Sequence, residues 1–251
     1  MSKLSVSNLS VEFGGRGGLF SEGRVVKAVQ DVSFDLDPGR TLGLVGESGC
    51  GKSTTGLATM RLIEAKSGTV MFGDMDILKL KGANLRLLRS KIQIVFQDPF
   101  SSLNPRLTAA EIISEPLDIL NVGTRTERQV RVDELLTQVG LSPEHGGLFP
   151  HQFSGGQRQR LGIARALAPD PDILICDEAV SALDVAIQAQ VLNLLARLQK
   201  ARGFGMLFIS HDLSVVRHVS DEVIVMYLGR IVERAPAQNL FDAPLHPYTL
   251  A

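Results

Sequence analysis

The sequence predicts an α/β fold: a parallel-sheet core, an antiparallel β-subdomain at the N-terminus and an inserted α-helical lobe. Three observations carry that reading. Residues 4–36 alternate apolar and polar side chains, the mark of antiparallel strands with one covered face. Short apolar runs at Leu42–Val45, Ile92–Phe96, Ile173–Cys176 and Leu207–Ile209 suit strands buried on both faces, and helical patterns separate them. Residues from about 100 to 165 are helical by pattern and read as the inserted lobe.

In chain order, Leu9, Val11 and Phe13 line one face of the first strand, and Val32, Phe34 and Leu36 that of the second. Gly14-Gly15-Arg16-Gly17-Gly18 between them is a loop by composition. Leu42–Val45 is a buried strand, and Thr54 to Ile63 reads as the helix after it. Thr108 and Glu111 form a capping box that opens a helix of the lobe. Val132, Leu135, Leu136 and Val139 fall at i, i+3, i+4 and i+7, with Gly140 as the stop. Ser154 N-caps a helix running through about Ala166. Arg230 to Val232 is the last strand, and the tail after it is expected to be irregular.

The 251 residues, 44% of them hydrophobic, suit one domain or a core with a lobe. The formal net charge is −1 and no basic run appears, which argues against nucleic acid as a partner. Cys50 and Cys176 both lie inside the motifs described next, which points to reduced thiols in a cytosol, and no Cys/His spacing supports a metal pair. Met1 is not followed by an apolar signal core, so no secretion signal is expected. The longest apolar runs, such as Val223 to Leu228, are strand-length, so no membrane span is expected, although the chain can dock onto something that spans.

Gly46-Glu47-Ser48-Gly49-Cys50-Gly51-Lys52-Ser53-Thr54 fits the phosphate-loop pattern G-x-x-x-x-G-K-[ST] between a strand and a helix. Its glycines let backbone N–H groups turn toward phosphates. Lys52 adds a point charge for the β- and γ-phosphates, and the Ser53 hydroxyl can sit on Mg²⁺. Ile173–Cys176 ends in Asp177 and Glu178, two acids at the carboxyl edge of a parallel sheet, where such folds bind ligands. Asp177 can hold Mg²⁺ through its water shell, and Glu178 is the best candidate for the general base on the attacking water. Ser154-Gly155-Gly156-Gln157 opens a helix with exposed N–H groups, a second anion site that most simply serves a nucleotide on another subunit.

In these motifs the chain resembles the nucleotide-binding subunits of ATP-binding cassette (ABC) transporters, from Leu4 to about Val232. The family's ordered motifs stand here as Gly46–Thr54 (Walker A), Gln97 (Q-loop), Ser154–Gln157 (signature), Ile173–Asp177 with Glu178 (Walker B), Ser181-Ala182-Leu183-Asp184 (D-loop) and His211 (H-loop). The signature usually opens with Leu; Phe153 supplies an apolar side chain in that place. The resemblance implies the P-loop NTPase core of an ABC ATPase cassette over residues 1–251, with residues 100–165 as its helical subdomain. It implies ATP and Mg²⁺ as cofactors, with Ser53, Gln97 and Asp177 on the metal. Lys52, Gln97, Glu178 and His211 are the expected catalytic residues. Gly46 to Thr54, Ser154 to Gln157 and Asp184 are expected at the nucleotide. Phe13 stacks on adenine or belongs to the core, and Phe20 competes for the stacking position.

The strings Phe96–Pro105, Glu178–Val185 and His246-Pro247-Tyr248-Thr249 are similar to the oligopeptide/dipeptide/nickel importer branch. Members of that branch usually continue past the last string, so residues 233–251 read as the truncated start of a C-terminal extension. The resemblance implies a head-to-tail partner cassette, identical or paralogous, that contributes its signature in trans. It also implies transmembrane permease subunits gripped by Phe100 to Leu107, indirectly a solute-binding protein, and a place on the cytoplasmic face of the membrane. The competing reading is a soluble ABC ATPase acting on nucleic acid or ribosomes. The lack of a basic face disfavours it.

Overall fold

The computed structural model describes residues 1–14, 25–98 and 100–250. The chain begins with β1 (Leu4–Gly14), β2 (Val25–Leu36), β3 (Thr41–Val45), α1 (Lys52–Thr59), β4 (Ser67–Phe72) and β5 (Met75–Asp76). Next come α2 (Gly82–Lys91), β6 (Ile92–Val95), α3 (Ala109–Leu120), α4 (Arg125–Gln138), α5 (Gly155–Leu167), β7 (Ile173–Asp177) and α6 (Val185–Arg202). It closes with β8 (Gly205–Ser210), α7 (Leu213–Val219), β9 (Glu222–Tyr227), β10 (Arg230–Pro236), α8 (Ala237–Asp242) and α9 (Pro247–Leu250). These elements form two compact units, one of Ser2–Lys81 with Leu207–Ala251, the other of Gly82–Met206 with Met1.

In the first unit an antiparallel sheet runs β2-β1-β4-β5. Its register sets Leu4 opposite both Leu36 and Phe72. Leu4, Val6, Leu9 and Val11 are buried, as the alternation requires; a bulge between Val6 and Leu9 absorbs the break in their spacing. β3 pairs parallel with β9, from Leu42↔Glu222 to Val45↔Val225, and β9 pairs antiparallel with β10. Every residue of β3 is buried. At Gly43 helix α7 comes so close that a Cβ would lie 2.6 Å from Val216 Cγ1.

In the second unit β6 runs parallel to β7, with Ile92↔Ile173 and Val95↔Cys176 in register. Helices α3, α4 and α5 pack on one another around Ile112, Ile113, Leu135, Leu136, Leu161 and Ile163, all buried. The expected box at Thr108 is present: its N–H donates to Glu111 Oε2 at 2.7 Å, and the Glu111 N–H to Thr108 Oγ1 at 3.4 Å. Gly140 takes φ +77 just past α4, as its stop role requires.

Two local expectations need correction, and one hairpin adds to them. Helix α1 spans Lys52–Thr59, not Thr54 to Ile63. It ends in a Schellman turn, with Leu62 N–H on the Leu57 carbonyl and Arg61 N–H on that of Ala58, and Arg61 holds the left-handed φ of +53 usually left to glycine. The tail is not irregular: β10 continues to Pro236, and α8 and α9 follow. The β4–β5 hairpin was not foreseen, although Val70 and Phe72 alternate to a buried face before Gly73.

Candidate functional site

The phosphate loop joins β3 to α1 in the first unit. Gly46 has φ +148, and a Cβ there would lie 2.2 Å from the Met226 carbonyl oxygen of β9. Gly51 has φ +107, with the Ala28 carbonyl of β2 as close. Both positions therefore exclude a side chain on conformation and on space. Gly51 is also the N-cap of α1, and it supplies no side-chain hydrogen bond. Helix α1 thus starts without a side-chain cap, and the positive end of its dipole faces the loop, a setting that favours an anion.

Lys52 is 4% exposed. Its Nζ donates to the Gly46 carbonyl at 2.8 Å and to the Glu47 carbonyl at 2.9 Å. An ammonium has three donors, so these bonds hold the charge inside the loop and leave one N–H for a ligand. Glu47, Ser48, Gly49 and Ser53 are exposed, Thr54 is half-buried and Cys50 is buried. Burial pushes the Cys50 thiol up, which keeps it neutral. Both cysteines are free and buried, Cys176 with its thiol likewise raised by burial.

The loop is braced by a hairpin absent from the sequence reading. Leu228 (φ +44) and Gly229 (φ +82) form a tight turn between β9 and β10, the left-handed pair of a type I′ hairpin. The Gly229 N–H donates to the Cys50 carbonyl at 2.9 Å, and the Gly229 carbonyl accepts from Gln30 of β2 at 2.8 Å.

His211 follows β8 and is exposed. It lines a cavity of about 410 Å³ together with Val45, Gly46, Glu47, Leu213 and Tyr248. The structure thus brings His211 beside the start of the phosphate loop. Its neighbour caps the next helix: Asp212 Oδ1 accepts the Ser214 and Val215 N–H groups of α7. Those bonds and the Ser214 hydroxyl hold the Asp212 carboxyl below its usual range. Phe13, at the end of β1 opposite Val26, is 46% exposed, so it is not a core residue. Phe20 lies outside the described residues.

In the second unit the parallel strands β6 and β7 end together, which places Gln97 and the pair Asp177–Glu178 at one sheet edge. Gln97 is exposed, and both acids are half-buried. Glu178 has φ +48, a left-handed conformation that costs a non-glycine residue about 1–2 kcal/mol. Its carbonyl accepts both the N–H and the hydroxyl of Ser181, at 3.1 and 3.0 Å, which closes the turn. No sequence pattern signals that twist.

Ser154 caps α5 in a full box with Gln157: Ser154 N–H to Gln157 Oε1 at 2.9 Å, and Gln157 N–H to Ser154 Oγ at 3.3 Å. Ser154 is exposed and Gly156 buried. At Gly156 a Cβ would lie 2.5 Å from Ile187 Cγ2 in the first turn of α6, so this glycine also lets α5 approach α6. Asp184, expected at a nucleotide, caps α6 through the Ile187 N–H at 3.0 Å.

Sequence reasoning missed how α5 carries the segment after β6. Gln159, buried, donates to the Phe96 carbonyl; Arg165 donates to the Ser102 carbonyl at 2.6 Å; and Arg158 lies 4.0 Å over the Phe100 ring. The only sequence signal was the polar run Gln157-Arg158-Gln159-Arg160 on a helix that otherwise reads as core.

The family model described as ABC transporter matches residues 29–181, more than half of the chain. The glutathione import ATP-binding protein GsiA of Pectobacterium atrosepticum is 56% identical over 98% of this chain; the chain spans 40% of that relative's length. The oligopeptide transport ATP-binding protein OppF of Bacillus subtilis is 58% identical over 89% of this chain and 74% of its own length. Among solved structures, the ATP-binding cassette MJ0796, a dimer in a post-hydrolysis state bound to ADP and Pi, matches with a TM-score of 0.81. It is 29% identical and covers 93% of this chain and 98% of its own. The cassette cbiO1 from Clostridium perfringens, part of the transporter complex cbiONQ, also scores 0.81, at 27% identity over 96% of this chain and 90% of its own.

Proposed function

This chain belongs to the ABC transporter family, and on that premise we propose that it is the ATP-hydrolysing subunit of an importer of peptides or related solutes, including glutathione-like ones. The observation that carries the reading is the buried Lys52 ammonium, held inside a glycine-walled loop at a helix N-terminus that has no side-chain cap. That arrangement suits a polyphosphate and little else.

Lys52 and the N–H groups of α1 bind the β- and γ-phosphates of ATP, His211 hydrogen-bonds the γ-phosphate, and Phe13 offers its exposed ring to adenine. Ser53, Gln97 and Asp177 would hold Mg²⁺; they are hard oxygen donors, the chemistry that ion takes. Bound there, the ion offsets the charge on the phosphates. Glu178 takes a proton from the water that attacks the γ-phosphorus, the bond to the bridging oxygen breaks, and ADP and phosphate leave. Ser154, Gly155, Gly156, Gln157 and Asp184 act on the nucleotide of a second cassette, identical or paralogous.

Residues 100–165 serve as the helical subdomain, and Phe100 to Leu107, carried by α5, meet the permease subunits on the cytoplasmic face of the membrane. No helix among the described residues is long and apolar enough to cross a membrane. A solute-binding protein delivers cargo to those subunits. The test is the ATPase rate of the purified chain with and without co-expressed permease subunits, together with uptake of labelled peptide. ATP hydrolysis stimulated by the subunits is expected; no ATP binding at all would overturn the reading.

A further inference from the structure

We propose that Tyr248 is a positioning residue for Lys52, acting through the Gly46–Glu47 peptide and so tying ATP affinity to the C-terminal segment; this rests on the ATP reading above. Tyr248 Oη accepts the Glu47 N–H at 3.0 Å, and Lys52 Nζ donates to the Gly46 carbonyl at 2.8 Å. That N–H and that carbonyl belong to one planar peptide unit, so it is gripped from both sides, by Tyr248 on one and by the catalytic ammonium on the other. If the plane rotates, Lys52 loses a partner. Tyr248 therefore sets the orientation that keeps the ammonium in the loop.

The tyrosine is itself held. Its ring lies 4.5 Å from that of Tyr227 at the end of β9, centroid to centroid. The chain before it is anchored by Glu233, whose carboxylate accepts the Leu245 N–H at 2.8 Å and the His246 N–H at 3.1 Å. Burial pushes the Tyr248 phenol up, so the hydroxyl stays neutral through the working pH range. The motif that recognises phosphate thus has a polar support some 201 positions away in sequence.

The test uses the full chain and Tyr248→Phe, which keeps the ring on Tyr227 and removes only the acceptor. Titration with a ribose-labelled fluorescent ATP gives Kd, and thermal unfolding of the same samples gives stability. Kd is expected to rise about two- to tenfold, the worth of one neutral hydrogen bond, with the kinetic change falling on KM more than on kcat. In a Lys52→Ala background the same substitution is expected to leave Kd unchanged, because the partner it positions is gone. A Kd unaltered by Tyr248→Phe, or an equal effect in both backgrounds, would overturn the proposal and leave Tyr248 as packing. Wild-type protein that binds no ATP would instead remove the ATP reading itself, so the two failures are distinct.

Discussion

Gly156→Ala tests whether the glycine of the signature turn is there for helix packing. An added Cβ would sit 2.5 Å from Ile187 Cγ2, where carbon pairs normally rest near 3.5–4.0 Å. Ile187 is β-branched and stiff on α6, so relief requires an off-rotamer side chain or a shift of α5. Overpacking of this kind costs about 1–3 kcal/mol, and the gain in helix propensity from Gly to Ala returns up to about 1. The net expectation is a loss of about 1–2 kcal/mol, or roughly 3–6 °C in Tm for a chain of this size. Thermal and urea unfolding measure it. Ile187→Ala removes the obstructing methyl, so the double variant is expected to be at least about 1 kcal/mol more stable than additivity predicts. Ile187→Val keeps Cγ2 and is expected to give no such rescue. Additivity within about 0.5 kcal/mol in the Ala cycle would refute the packing argument.

The remaining predictions concern the site and the tail. Glu178→Gln is expected to bind ATP as the wild type does and to hydrolyse it ~10²–10⁴-fold more slowly, as a general base requires; an unaltered single-turnover rate would exclude that role. Lys52→Ala is expected to lose about 1.5–3 kcal/mol of ATP affinity, ten- to a hundredfold in Kd by calorimetry, because a charged donor is removed. Burial works to raise the Glu233 carboxyl, but the Leu245 and His246 amides that donate to it help to hold the group below its usual range. A lowered carboxyl pKa stabilises the fold above its unfolded value of about 4.3 and loses that contribution as pH falls through the folded one. The Tm difference between wild type and Glu233→Gln is therefore expected at neutral pH and to shrink as pH falls below about 4.3; a difference that stays constant on acidification would count against it.

What the sequence disclosed depends on how local the cause is. The capping box at Thr108 and the N-cap at Ser154 were readable because the residues involved stand within three positions of each other. The early start of α1 was not, because Gly51 caps it by backbone alone, and its early end was hidden by Arg61 in a glycine's conformation. The residue types of the candidate site were legible as strings, from Gly46 to Thr54 and from Asp177 to Glu178. Their supports were not. Gln159 on the Phe96 carbonyl and Gly229 on the Cys50 carbonyl are long-range pairings that leave no periodic trace. The left-handed Glu178 is a tertiary constraint on one dihedral, and nothing in its residue type announces it.

The Leu228–Gly229 turn has a consequence for how the protein is made. The phosphate loop leaves the ribosome about 180 residues before the amide that anchors its Cys50 carbonyl and the Met226 carbonyl that walls Gly46. At translation rates of 5–20 residues per second that interval is roughly 10–40 s. Through it, the nascent chain carries the nucleotide motif without its scaffold. Competence to bind nucleotide is therefore acquired only after the β9–β10 hairpin has emerged. A ribosome stalled before that hairpin would display the motif without the activity.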